Sequence, residues 1–147
     1  MNTPKKISPH FYYHEFFSQG IWQSNHEHLL KRLLDERIIV IMEHIRVSLD
    51  KPIYVNNWKW GGNSMYRGFR PRSHQSARYS QHKFGRAVDF HVKNMTPDEV
   101  RQYILDNEQE FLNMGLTRLE HGDDAPTWVH LDLAWTGLDS IYVFRAN

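Results

Sequence analysis

The chain has 147 residues, enough for one domain around one hydrophobic core. Hydrophobic residues make up 40% and aromatics 14%, which excludes a disordered chain, and a net charge of +1 gives no overall field that would gather nucleic acid. There is no cysteine, so disulfides and thiolate metal sites are excluded, and any metal must be held by His, Asp or Glu, with ten histidines available. No apolar segment follows Lys5 and Lys6, so no secretory signal is expected. The longest apolar run, 38–42, is too short to span a bilayer, and no polybasic run suggests an anionic membrane. The expectation is a single domain over 1–147, made in the cytoplasm without membrane insertion or nucleic-acid binding.

Residues 10–23 are rich in aromatics (Phe11, Tyr12, Tyr13, Phe16, Phe17, Trp22) and read as an irregular arm packed across the core. Ser24 and Glu27 have capping-box spacing and open a helix expected to run to about Ser48. Leu29, Leu30, Leu33, Leu34, Ile38, Ile41, Met42 and Ile45 recur along it at helical spacing. Asp50, Lys51 and Pro52 end it, and Ile53, Tyr54 and Val55 read as a short strand. Residues 57–80, with Gly61, Gly62, Gly68 and Pro71 and few aliphatics, read as a long loop of the kind that carries function. A strand is expected at 87–92. Thr96, Pro97, Asp98 and Glu99 give a helix start, with that helix ending near Gly115. Strands follow at about 116–120, 128–134 and 141–145. The order predicts an α+β domain, a small antiparallel sheet packed against two main helices.

The chemistry concentrates in two segments. In 80–90 a His precedes a glycine turn and an Asp follows on the strand, and Gly85 lets the chain reverse so that His82 and Asp89 can face one point. In the second segment Trp128, His130 and Asp132 share one face of a strand. Two His and one Asp make a three-ligand zinc set whose fourth position stays open for water, as hydrolysis needs. The same residues also read as a turn histidine, an ion-paired aspartate and a core histidine.

Ser80 to Asp89 matches the SxHxxGxAxD signature of the zinc D-Ala-D-Ala carboxypeptidase family, and Trp128-Val129-His130 resembles its second signature, WxH. That superfamily also holds phage L-alanyl-D-glutamate endopeptidases, vancomycin-resistance dipeptidases and the hedgehog signalling domain. Arg67-Gly68-Phe69-Arg70-Pro71 looks like the family's S-G-Y-R-P segment, and Tyr13-His14-Glu15-Phe16 resembles the FxxxEF opening of its short members. The likeness spans roughly residues 10–135. It implies a hedgehog/D-Ala-D-Ala peptidase-like fold, Zn2+ held by His82, Asp89 and His130, and a hydrolase cutting peptidoglycan stem peptides. Arg70 would grip a substrate carboxylate or the carbonyl oxygen, with Arg67 as the rival. Ser80 and Trp128, inside the two signatures, are further substrate-binding candidates. Small size and the missing signal look like a phage lysis (endolysin-like) or virion-associated protein that reaches the cell wall after release.

One position departs from the family pattern. Many members carry a general base three residues before the last ligand, where this chain has Thr127. Hedgehog domains place a site Glu at the end of the preceding strand, and Leu119-Glu120 resembles that placement. Glu120 is therefore the favoured base, Asp124 the next and Asp123 the third. Asp132 is a candidate to orient His130, His121 to stabilise a transition state, His74 to reach the cleft, and Trp58 and Trp60 to wall a peptide groove. The alternatives are a non-catalytic, hedgehog-like zinc module or a phage structural wall-binding protein.

Overall fold

In the computed structural model, which describes residues 3–146, the aromatic N-terminal stretch is more regular than the arm expected of it. Strands β1 (Lys6–Ser8) and β2 (Phe11–Tyr12) pair antiparallel, a 3-10 turn covers Tyr13–Glu15, and helix α1 spans Gln19–Ser24. Phe11, Phe16, Phe17 and Trp22 are all buried. Each such ring contributes roughly 1.5–3 kcal/mol by leaving water, which is what pins an otherwise short-stranded segment.

The single helix expected from Ser24 to Ser48 is three pieces. Ser24 is no cap: its hydroxyl turns back to the Gly20 carbonyl inside α1, and Asn25 is extended. Helix α2 (Glu27–Leu30) runs into a 3-10 turn, Lys31–Leu33, and Leu34 is extended again. Helix α3 (Glu36–Leu49) starts afresh behind Asp35, whose carboxylate accepts the Arg37 N–H at 3.0 Å. The cause of the break is tertiary. Asp35 N–H donates to the Gly85 carbonyl at 2.9 Å, and Gly85 lies so close to Leu33 that an added Cβ would sit 2.0 Å from its carbonyl oxygen. The chain leaves the helix to run beside the turn that carries His82. Ile38, Ile41, Met42 and Ile45 then form the buried stripe of α3.

Five strands make the main sheet, in the order β3 (Ile53–Tyr54), β4 (Ala87–Val92), β6 (Val129–Asp132), β5 (Arg118–Glu120), β7 (Tyr142–Phe144). The fold is α+β as expected, and the small β1–β2 sheet is antiparallel, but the five-stranded sheet is mixed because β5 and β7 are parallel. After β6 the chain reverses direction and takes the far side of β5. A strand antiparallel to β6 in that place must run parallel to β5, which is itself antiparallel to β6.

The second helix also divides. Helix α4 (Pro97–Asp106) begins at a capping box in which Thr96 accepts the Glu99 N–H and donates its own N–H to the Glu99 carboxylate. Non-helical Asn107 then separates it from helix α5 (Glu108–Asn113). Helix α4 packs on β4 and β6, so β4 is buried along almost its whole length. No described helix is long and apolar enough to cross a membrane.

Candidate metal centre

Three local structures bring the ligand candidates together. His82 sits in a 3-10 turn, Gln81–Phe84, that closes on Gly85 with φ of 68°, a left-handed conformation glycine adopts without strain. Asp89 lies on central strand β4. His130 lies on β6 directly opposite, since the antiparallel register pairs Asp89 with His130 and Ala87 with Asp132. All three side chains are buried, and their donor atoms lie within 4.8 Å of one another.

Hydrogen bonds fix both imidazoles with one ring nitrogen turned inward, which can offer a lone pair once its proton is displaced. His82 donates Nδ1–H to the Gly68 carbonyl at 2.8 Å, which leaves Nε2 facing Asp89 Oδ1 at 3.3 Å. His130 has its Nε2 on Asp132 Oδ2 at 2.8 Å, which leaves Nδ1 toward Asp89 Oδ1 at 2.7 Å. Asp132 is fully buried and is gripped on both oxygens by Arg118, at 2.8 and 2.7 Å. Outer partners of this kind orient metal-binding histidines and raise their basicity. The expected orienting role of Asp132 thus has its contact; Arg118, which holds it, is a residue the sequence reading missed. Pairing it with Asp132 requires knowing that β5 and β6 are neighbours in that register.

Electrostatics mark the same cluster. Burial alone would raise the Asp89 carboxyl, but hydrogen bonds from His130 and His82 outweigh it and hold the group well below the usual carboxylate range. Burial would lower His130, yet Asp132 and Asp89 raise it to about 9. Asp132 is held down by His130 and Arg118 against its own burial. Two buried carboxylates around one imidazole call for positive charge between them, from a proton or from a metal cation. Two neutral-capable nitrogens and one carboxylate oxygen, buried and pre-oriented, fit a divalent ion with borderline preferences.

A cleft of about 570 Å³ opens over this cluster, lined among others by Arg70, Ser80, Glu120 and Trp128. Glu120 ends β5 one step beyond Leu119, which pairs with Leu131, so the ladder carries it toward His130. Burial raises its carboxyl above the ordinary glutamate value, and Asp89 adds to the rise. Arg70 donates Nη2–H to Asp89 Oδ2 at 3.1 Å and Nε–H to the Tyr66 carbonyl at 2.7 Å. Its guanidinium therefore braces the carboxylate ligand while bordering the cleft. Arg67 turns elsewhere, with Nη1 3.4 Å from His91 Nδ1.

Other candidates fall outside the cleft. Asp124 is bound by Arg145 at 2.8 Å and by the Ala146 N–H at 3.0 Å, which takes its carboxylate away from the role of base. Asp123 also pairs with Arg145, at 3.6 Å. His121 lines a separate cavity beside α4. Trp58 donates to the Phe17 carbonyl at 2.8 Å and packs on Trp22, so it caps the core and walls no groove; Trp60 is absent from the cleft lining as well. His74 lines a cavity adjoining the cleft. No family model, curated protein or solved structure matches the chain.

Proposed function

We propose that this chain is a zinc-dependent peptidase of the D-Ala-D-Ala carboxypeptidase type, with a hedgehog-like fold, acting on the stem peptides of peptidoglycan. One observation carries the reading: a buried His82, Asp89 and His130 cluster, with both imidazoles locked by outer hydrogen bonds, shares a cleft with a glutamate whose pKa is raised. The signature residues 80–89 and 128–130 support the substrate class by resemblance. When bound, zinc would acidify water and polarise a carbonyl. The rest falls to the protein. Glu120, partly buried and with raised proton affinity, takes a proton from the attacking water and passes it to the leaving amine. Arg70 keeps Asp89 in place, and its cleft-facing side offers N–H groups to a carboxylate or to the oxygen that gains charge. Asp132 and Arg118 hold His130 in one ring orientation through the cycle.

Purified sacculi digested with and without a chelator, with mass spectrometry of the released peptides, test the proposal. Chelator-sensitive release of peptides cut at one defined bond is expected. Intact sacculi and intact stem peptides beside one equivalent of tightly held zinc would instead identify a non-catalytic zinc module.

A further inference from the structure

Between Asp50 and Asp89 the chain carries eight Lys and Arg residues and no Asp or Glu, although its totals are nearly balanced at 18 and 17. Three of those cations, Arg72, Arg78 and Lys83, come together with His74 around a cavity of about 820 Å³ that no acidic residue lines. None of the three has an ion-pair partner among the described residues; Lys83 donates only to the Ser76 carbonyl, at 2.9 Å, and Arg78 stacks on Tyr79 at 5.4 Å. Of the three, Lys83 acts on His74, whose charged form is disfavoured by burial first and then by Arg70, Lys83 and His82.

This cavity adjoins the metal cleft. Ser76, Arg78 and Tyr79 line both. The two halves differ in charge balance: the cleft proper sets Asp89, Glu120 and Asp132 beside Arg70 and Arg118, and its neighbour holds cations and no acid. A ligand spanning both meets mixed charge in the cleft and cations alone beside it, so the second half favours an anionic group. A phosphodiester chain meets the first half badly, since its charges repeat at every step. A peptide with one free carboxylate beside a neutral amide suits both halves.

We propose that loop 72–84 forms an anion subsite beside the metal centre, which takes the free α-carboxylate of the stem peptide's glutamyl residue and so selects acidic over amidated substrates. The ligand's identity rests on the peptidase reading; the anion site itself does not. A charge-assisted contact of this kind is expected to favour the acidic ligand by about tenfold to a hundredfold.

The probes are two synthetic stem peptides, L-Ala-γ-D-Glu-L-Lys-D-Ala-D-Ala and the same peptide with the glutamyl α-carboxylate converted to carboxamide. Calorimetry on the zinc-loaded Glu120→Gln chain measures binding without turnover. At low salt the acidic peptide is expected to bind at least about tenfold more tightly. The ratio should collapse toward one at high salt, where exposed charges are screened, and in an Arg72→Gln/Arg78→Gln chain whose melting temperature shows it folded. Equal affinities, a ratio insensitive to both salt and the double substitution, binding of neither peptide, or tighter binding of a single-stranded oligonucleotide would each overturn the subsite. The salt series needs no arginine variant, so misfolding of the double variant leaves the test intact. Hydrolysis of both peptides by the unmutated chain is scored separately. Discrimination without cleavage keeps the subsite and removes the peptidase reading; cleavage without discrimination does the reverse.

Discussion

Replacing Asp132 by Asn keeps the shape of a fully buried side chain and removes what the site needs from it. The carboxylate meets four donors and no acceptor. Oδ1 accepts from Arg118 Nε at 2.8 Å and Ala134 N–H at 3.1 Å, and Oδ2 accepts from Arg118 Nη2 at 2.7 Å and His130 Nε2 at 2.8 Å. An amide turned either way sets its NH2 against two of these donors. Two charge-assisted bonds lost at roughly 1.5–3 kcal/mol each amount to about 3–6 kcal/mol, and removing one partner of a buried ion pair typically costs about 3–5 kcal/mol. Urea unfolding of the metal-free Asp132→Asn chain should show a loss in that range, a large share of the 5–15 kcal/mol that roughly holds a domain together. Metal competition against a chelating dye should show affinity down about tenfold to a hundredfold, as for other outer-sphere changes. A loss under about 1 kcal/mol with affinity within twofold of the unmutated chain would refute the view that Asp132 holds His130 in its binding orientation.

Three further outcomes follow from the site and the core. Glu120→Gln should retain zinc by elemental analysis while peptide hydrolysis falls by about a hundredfold to ten-thousandfold, with Asp124→Asn close to unmutated rates; activity surviving the first and lost in the second would move the base. His82→Ala and His130→Ala should each lower zinc content and abolish the rise in melting temperature on adding zinc, since ligand binding to the folded state is stability; full zinc occupancy in both would remove them as ligands. Burial lifts Glu15 from the usual 4.5 to about 7, despite the Tyr12 N–H on its carboxylate. Below about 4.5 the folded and unfolded chains both hold this proton. As pH rises to about 7 the unfolded chain releases it first, so stability is lost by up to roughly 3 kcal/mol and stays lost above. The urea-derived stability difference between the unmutated chain and Glu15→Gln should track that window; a difference flat with pH refutes the assignment.

Of the metal-site candidates, His82 and Asp89 share one local segment with the turn glycine Gly85 and the small Ala87, whereas His130, 41 residues from Asp89, was reached through the resemblance of 128–130 to a family signature. Their supports were not legible in the sequence. Gly68, whose carbonyl orients His82, is 14 residues from it, and Arg118 is 14 residues from Asp132. Each pair is joined by how the chain packs, which leaves no local trace. The helix predicted through Asp35 shows the same limit from the other side. Apolar spacing there is continuous, but the Gly85 turn takes the backbone N–H of Asp35 and imposes a break that periodicity cannot register. The strand β7 was read at the right place, while its parallel partner depends on which edge of the sheet remained open. The cationic stretch between Asp50 and Asp89 was countable all along; a balanced net charge averaged it away.

The pairing of Asp89 with His130 makes chain length a constraint of two very different kinds. Residues 93–128 leave β4 and return to β6, and the turns among them outside α4, α5 and β5 can lengthen or shorten without moving either ligand, because ladder hydrogen bonds and not the connection set the two side by side. An insertion of one residue between Ala87 and Asp89 is another matter. Side chains on a strand alternate faces, so the carboxylate would turn to the opposite side of the sheet, among the groups packed under α4, while His82 and His130 stayed behind. Variation in this scaffold is therefore free in its excursions and forbidden within a few residues of β4 and β6, and the tolerated insertions are those that reshape the rim of the cleft.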